Sequence, residues 1–101
     1  MGLLDFIFGN NDKKIKQYLK NGAIILDVRT PEEFQNGAIE NSVNIPLQVL
    51  HERMEEVKAL NKPLIVCCQS GIRSAKATKF LTLQNIDAIN GGGWKSLHSK
   101  L

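Results

Sequence analysis

The stretch from Leu64 to Ser74 constrains the fold more than any other part of the chain. Leu64 to Cys67 is an apolar run after a proline, which predicts a short buried strand, and the residues from Ser74 onward have the composition of a helix. Cys68 therefore lies at a strand-to-helix turn. The residues between the two elements are small or polar around Gly71, so their backbone N–H groups can converge beside the Cys68 sulfur.

Such a loop is suited to hold an anion attached to sulfur. Amide dipoles and the N-terminus of the following helix stabilise negative charge, so we expect a thiol pKa below the ordinary value and a catalytic thiolate at Cys68. Hydroxyl groups of the flanking serines are possible further donors, although a loop serine and an N-cap serine are equally good interpretations. The candidate substrate-binding residues are Gln69, Ser70, Gly71, Ile72 and Arg73, with Ser74 in support.

Strand and helix patterns alternate along the rest of the chain. This order predicts an α/β fold with a mainly parallel sheet and helices on both faces. The predicted strands are Ala23–Val28, Ser42–Ile45, Leu64–Cys67 and Ile86–Ile89. The predicted helices run from Asn11 or Asp12 to Lys20, from a Thr30 cap to about Asn36, over Leu47–Leu60 and from Ser74 past Leu81, and a tight turn at Gly91–Gly93 precedes a last helix anchored by Trp94 and Leu97.

Three side chains near strand ends need an interpretation. Asp27 and Arg29 flank the end of the first strand, and we expect them to form a structural salt bridge, because charges in such a place need partners. Cys67 precedes Cys68 on a strand, so its side chain points to the opposite face. A buried core thiol is favoured there over a resolving cysteine.

Length and composition bound the class of protein. A chain of 101 residues with 43% hydrophobic content forms one domain, which we place at residues 11–101 after an apolar tail at residues 1–10. The tail is too short and wrongly flanked for a signal peptide or membrane span, and it either folds over the domain or anchors it to a membrane or partner. Adjacent cysteines give no disulfide framework, which favours a reducing compartment and a cytoplasmic location.

The charge pattern argues against nucleic acid and favours small anions. The net charge is +3, but residues 31–60 carry six Glu against two cations, and residues 73–101 carry five Lys or Arg against Asp87. There is no aromatic interleaving and no long basic run. His51 and His98 have no metal-ligand spacing with either cysteine, so no metal is expected.

Four ordered blocks of this sequence resemble the signature stretches of single-domain rhodaneses. They are Leu26–Phe34, Gly37–Ile39 with Asn44–Pro46, Cys68–Ser74, and Gly92–Trp94. The resemblance implies five central parallel strands and a Cys68 that carries sulfane sulfur as a persulfide. One departure is Ala38, where the family often has histidine.

The resemblance also implies the chemistry. The expected activity is that of a thiosulfate sulfurtransferase without cofactor, moving sulfur from a small sulfur anion to cyanide or a thiol. Arg73 lies five positions after Cys68, whereas related phosphatases need arginine at the sixth, which is Ser74 here. The shorter loop favours sulfur over phosphate. The alternatives are a persulfide carrier that delivers sulfur to a partner protein, and an inactive interaction domain, against which the intact loop argues.

Overall fold

A computed structural model describes residues 11–101 and folds them around a four-stranded parallel sheet. The strands lie in the order β2-β1-β3-β4, so β3, which carries Cys68, is internal. The strands are β1 Ile24–Asp27, β2 Val43–Asn44, β3 Leu64–Cys68 and β4 Ala88–Gly93; the helices are α1 Asn11–Lys20, α2 Pro31–Gln35, α3 Met54–Leu60, α4 Ile72–Leu83 and α5 Trp94–His98. The predicted α/β fold is confirmed.

The core is divided between the two faces of the sheet because side chains alternate along each strand. On one face Leu26, Val66 and Cys68 pack against Val57 of α3 and Leu81 of α4. The other face has its own apolar cluster, made of Ile15, Ile25, Ile39, Ile65, Cys67 and Leu97, so α1 and α5 cover it. Helices therefore lie on both faces, as predicted.

Local sequence signals explain why α2 begins where it does. Thr30 accepts a hydrogen bond from the backbone N–H of Glu33 at 3.2 Å, and Glu33 accepts one from the Thr30 N–H at 3.0 Å. Pro31 occupies the first turn, where its missing N–H costs nothing. This capping box was predicted, and it fixes Glu33 at the entrance of a short helix beside the Cys68 loop.

Two elements differ from the prediction. The helix expected over Leu47–Leu60 is α-helical only in α3, and two 3₁₀ turns, Leu47–Val49 and His51–Arg53, precede it. Arg53 has φ −111° and ψ 24°, which interrupts the helix. Apolar residues three apart fit a 3₁₀ turn as well as an α-helix, so the spacing did not distinguish the two.

The glycines at 91–93 form no tight turn, and β4 continues through them. Its pairing with β3 shifts register there, since Val66 is opposite Asn90 whereas Cys67 is opposite Gly92. A Cβ on Gly91 would lie 2.7 Å from the Ile65 side chain, so close packing within the sheet explains this glycine.

The fifth strand and the apolar tail are the two remaining expectations about the fold. The fifth strand implied by the family resemblance does not occur in residues 11–101. The apolar tail at residues 1–10 lies outside the described residues. Between residues 11 and 101, no helix has the length and apolar character needed to cross a membrane.

Candidate active site

The sulfur of Cys68 lies at the centre of a ring of hydrogen-bond donors. Cys68 ends β3 and is fully buried. The backbone N–H of Gly71 donates to Sγ at 2.9 Å and that of Ser74 at 3.3 Å. The Ser74 hydroxyl oxygen also lies 3.3 Å from Sγ. The loop thus supplies donors from both its middle and the first turn of α4.

These contacts set the ionisation of the thiol. Burial acts to raise the pKa of Cys68, because it removes water from the thiolate. Hydrogen bonds from the Ser74 hydroxyl and from the backbone amides of Ser74, Gly71 and Ser70 outweigh burial, so the Cys68 pKa lies below its ordinary value. The predicted direction is confirmed, and its cause is direct donation to the sulfur.

Ser74 occupies a different place from the one predicted. The helix α4 begins at Ile72, and Gly71 is its N-cap residue, so Ser74 is not the cap. Gly71 has φ +102°, a conformation that glycine adopts without strain. The N-cap interpretation of Ser74 is therefore wrong, and its buried hydroxyl contacts the sulfur instead.

The loop is held in place by β4, which sequence reasoning did not reveal. The Asn90 side-chain amide donates to the Gly71 carbonyl at 3.3 Å. A Cβ on Gly93 would lie 2.9 Å from the Gln69 carbonyl oxygen, so only glycine lets the strand and loop approach this closely. The predicted strand ended at Ile89, so sequence analysis did not assign Asn90 or Gly93 to the strand that supports the loop.

Arg73 is paired with a carboxylate and does not point freely toward the sulfur. Its guanidinium donates to the two Glu33 carboxylate oxygens at 2.7 and 2.9 Å. The hydrogen bond from Arg73 is the main cause that lowers the pKa of Glu33 to about 2. The pair is therefore ionised near neutral pH, and its two charges largely cancel. Sequence analysis had not linked these residues, which are 40 positions apart.

Asp27 and Arg29 form the predicted ion pair, which is confirmed. Arg29 donates to Asp27 through Nε at 3.0 Å and Nη2 at 2.7 Å, and both side chains are almost fully buried. Arg29 also donates to the carbonyls of Glu33 and Gly37 and lies 4.7 Å from the centre of the Trp94 ring. The pair joins β1, α2 and α5 near the carboxyl end of β1, and Arg29 lines a cavity together with Gln69 of the Cys68 loop.

The side chain of Asn44 completes this junction. Its amide donates to the carbonyls of Asp27 at 3.0 Å and Arg29 at 2.9 Å. Asn44 belongs to β2, so it ties the edge strand to the end of β1. Sequence analysis noted Asn44 only as part of a family block and gave it no role.

Cys67 is separated from Cys68 by the sheet itself. It packs in the cluster covered by α1 and α5, whereas Cys68 belongs to the opposite cluster. Burial raises the pKa of Cys67, and the nearby Asp27 carboxylate raises it further. Cys67 is therefore a neutral core thiol, as the strand alternation predicted.

A cavity of about 230 Å³ opens beside the loop. It is lined by Arg29, Glu33, Asn36, Gln69, Trp94 and Lys95. A larger one, of about 350 Å³, lies near the amino-terminal ends of β3 and β4, away from the cysteine. Of these two cavities, only the smaller one is lined by a residue of the Cys68 loop, Gln69.

The candidate site residues divide into three groups. Gly71 and Ser74 donate to the sulfur at 2.9 and 3.3 Å, and the side chains of Gln69, Ser70 and Ile72 are exposed around it. Arg73 faces Glu33, and Asp27 forms a buried ion pair with Arg29, which lines the cavity beside the loop. In residues 11–101 no group of three His, Cys, Asp or Glu side chains is placed to hold a metal ion.

The Ser74 hydroxyl gives a first prediction. Ser74→Ala should raise the Cys68 pKa, because it removes one donor to the thiolate and leaves both backbone amides. The measurement is the pH dependence of iodoacetamide alkylation. Thr78→Ala is the matched control, since that hydroxyl bonds the Ser74 carbonyl and not the sulfur. An unchanged alkylation pKa in Ser74→Ala would show that the hydroxyl does not stabilise the thiolate.

Comparison with known proteins identifies the family. The sequence matches the rhodanese-like domain family over residues 11–100. It is 36% identical to the uncharacterized protein YqhL of Bacillus subtilis, covering 78% of this chain and 64% of that protein. It is 37% identical to thiosulfate sulfurtransferase 18 of Arabidopsis thaliana, covering 78% of this chain and 69% of that protein.

The fold is shared with solved structures. A rhodanese-related protein from Thermoplasma volcanium superposes with a TM-score of 0.73 at 32% identity, covering 88% of each chain. The chain spans about two thirds of the length of the two curated relatives. The match over residues 11–100, the shared fold and these identities together show that the chain belongs to the rhodanese-like domain family.

Proposed function

We propose that this chain is a sulfurtransferase that moves sulfane sulfur from a donor such as thiosulfate to a thiophilic acceptor, cyanide or a thiol, through a persulfide on Cys68. The observation that carries the proposal is the set of donors on one buried sulfur: the amides of Gly71 and Ser74 and the Ser74 hydroxyl. A site that stabilises a thiolate also stabilises the anionic sulfur of a persulfide.

The reaction consists of two displacements at sulfur. The Cys68 thiolate attacks the outer sulfur of thiosulfate, the S–S bond of the donor breaks, and sulfite leaves with the electron pair. The acceptor then attacks the outer sulfur of the persulfide, and the electron pair of that S–S bond returns to Cys68 as thiolate. The two steps balance without cofactor or metal, since each forms one bond to sulfur and breaks another.

The surrounding residues take separate roles in this proposal. Gln69, Ser70, Gly71, Ile72 and Arg73 form the rim where the donor binds, and the Ser74 hydroxyl supports the thiolate. Asp27 and Arg29 support the site by joining β1, α2 and α5 beside the loop. A reactive thiolate requires a reducing environment, which favours a cytoplasmic location.

The Arg73 contact supports sulfur over phosphate chemistry. A phosphatase of related fold needs an arginine that grips the phosphate oxygens, and here the guanidinium is occupied at both ends by Glu33. Ser74 stands at the sixth position after Cys68, with its side chain turned to the sulfur. The loop therefore has no free clamp for a phosphate group.

The same contact favours a second candidate function, a persulfide carrier that delivers sulfur to a partner protein. A paired Arg73 offers little net attraction to a thiosulfate dianion, and Cys68 is fully buried. Such a site forms a persulfide but turns small anions over slowly. The two candidates share the Cys68 persulfide and differ only in the acceptor.

Intact mass spectrometry tests the shared step. Incubation with thiosulfate should add one sulfur, about 32 Da, and the addition should disappear after treatment with cyanide. The same preparation should hydrolyse an aryl phosphate far more slowly than it transfers sulfur. An unchanged mass, or phosphate hydrolysis at a comparable rate, would overturn the proposal.

Variants at Glu33 and Arg73 test whether the charge of Arg73 attracts the thiosulfate donor. Glu33→Gln should lower the Michaelis constant for thiosulfate roughly fivefold, since about 1 kcal/mol of attraction is recovered when the Arg73 charge is freed. Arg73→Ala should raise it, because the Glu33 carboxylate is then left unpaired beside the loop. The alkylation pKa of Cys68 should move less than the Michaelis constant in both variants.

The double variant Glu33→Gln with Arg73→Ala is the control, because both charges are then removed. Its Michaelis constant should lie between those of the single variants. A Michaelis constant that is the same in all four proteins would show that this pair does not affect donor binding.

A further inference from the structure

The outward face of α4 combines exposed apolar side chains with exposed lysines, next to the Cys68 loop. Ile72 and Leu83 are apolar and 65% and 72% exposed, and they are two of the three large hydrophobic residues exposed in residues 11–101. Lys76 and Lys79 are exposed between them. These four residues follow each other at steps of four, three and four, so they lie along one side of the helix, here called the α4 outer face.

This face carries positive charge that is not neutralised nearby. The helix contains Arg73, Lys76 and Lys79 and no acidic residue. Arg73 is paired with Glu33, but neither lysine has a carboxylate within 4.0 Å in the part of the chain from 11 to 101. The two lysines therefore present net charge to solvent, between two exposed apolar side chains.

The face begins at the rim of the active-site loop. Ile72 follows Gly71, whose N–H donates to Cys68 Sγ at 2.9 Å. The exposed residues Gln69 and Ser70 continue the surface past the loop. A molecule lying along the α4 outer face therefore has one end next to the sulfur and the other about 17 Å away at Leu83, at 1.5 Å per helical residue.

We propose that the α4 outer face docks an acidic segment of a partner protein that bears the acceptor cysteine. Charge complementarity selects an acidic partner, and Ile72 and Leu83 offer two apolar contacts at the ends of the basic stripe. A symmetric contact with the same face of a second copy would place the same lysines against each other. The inference rests on the proposed function and names the acceptor of its persulfide.

The transfer balances in atoms and electrons. The acceptor thiolate attacks the outer sulfur of Cys68–S–SH and forms a new S–S bond, so the acceptor becomes a persulfide. The bond from the outer sulfur to Cys68 Sγ breaks, and its electron pair returns to Sγ as thiolate. The proton stays on the transferred sulfur, and the departing thiolate is received by the Gly71 and Ser74 amides.

The test uses three synthetic peptides of equal length, each with one cysteine flanked by Glu, Gln or Lys. Transfer from the sulfur-loaded protein is followed by peptide mass, and each rate is divided by the rate at which that peptide is alkylated, which corrects for its thiolate fraction. At low salt the Glu peptide should react roughly tenfold faster than the Lys peptide. The advantage should disappear at 0.5 M salt, about where screening removes surface attraction.

Charge reversal supplies the matched variants. Lys76→Glu with Lys79→Glu should invert the peptide order and leave transfer to neutral 2-mercaptoethanol unchanged. Lys58→Glu with Lys62→Glu is the control, because those exposed lysines lie at the other end of the sheet and should not alter the order. Equal rates for the three peptides, or the same shift in both double variants, would overturn the inference.

A binding measurement on the unmodified protein tests the docking face independently of the proposed sulfur chemistry. Fluorescein-labelled serine versions of the peptides should bind the unmodified protein in the order Glu, Gln, Lys, even if thiosulfate fails to load Cys68. Failed loading would reject the proposed function alone. Loss of the binding order would reject the docking face alone. Stronger binding to phosphatidylserine vesicles than to the Glu peptide would also reject an acidic protein segment as the partner, because the two lysines would then bind an anionic lipid surface.

Discussion

Replacing Cys68 by serine should abolish sulfur transfer, whereas the same change at Cys67 should leave most of the turnover. The two side chains lie on opposite faces of the sheet, and only the Cys68 sulfur receives the amides of Gly71 and Ser74. Loss of the nucleophile should cost on the order of 10⁴-fold in turnover or more. Transfer from thiosulfate to cyanide, with persulfide mass measured in parallel, checks both variants.

Folding has to be compared in the same experiment, because both cysteines are buried. A serine hydroxyl in the place of Cys67 should lower the free energy of unfolding by about 1–3 kcal/mol, as burial of a hydroxyl does. Near-ultraviolet circular dichroism of both variants is the control for folding. Equal loss of turnover in two folded variants would contradict a single nucleophile at Cys68.

Replacing Asp27 by alanine should lower the free energy of unfolding more than replacing any other charged residue between positions 11 and 101. Arg29 would keep its acceptors at Glu33 and Gly37 but lose its carboxylate while it remains buried. Removing one partner of a buried pair costs about 3–5 kcal/mol. Urea unfolding should therefore show a much lower midpoint at an unchanged slope.

A surface pair provides the comparison for this result. Arg53 and Glu56 are bidentate at 2.8 and 2.9 Å, but their side chains are 36% and 58% exposed, so Glu56→Ala should cost less than about 1 kcal/mol. Asp27→Leu combined with Arg29→Met should recover part of the loss, since no buried charge then remains. Equal effects of Asp27→Ala and Glu56→Ala would show that burial does not strengthen the Asp27 contact.

The fold was predictable where the sequence pattern has one interpretation. Four strands, the capping box at Thr30 and the α4 helix follow from apolar runs and cap residues, and all are present. The two 3₁₀ turns before α3 were not predicted, because leucines three positions apart fit both a 3₁₀-helix and an α-helix. Gly91 was assigned to a turn because composition does not reveal that Ile65 and Leu97 leave no space for a side chain.

The candidate site was predictable at its local contacts and not at its distant ones. The position of Cys68, the low pKa of its thiol and the opposite direction of Cys67 all follow from a strand that ends in a glycine loop. The partner of Arg73 and the support from Asn90 join residues 40 and 19 positions apart. Tertiary packing alone brings those groups together, so no spacing in the sequence could indicate them.

The separation of the two cysteines by the sheet has a consequence under oxidative stress. A cysteine that is oxidised to sulfenic acid is rescued when a second thiol condenses with it, and otherwise continues to the sulfinic acid, which is irreversible in most proteins. Cys67 adjoins Cys68 in sequence, but it is buried behind the sheet and its thiol is held neutral. Cys68 therefore has no internal reductant within residues 11–101. Peroxide damage at this sulfur is repaired only by a thiol that arrives from solution.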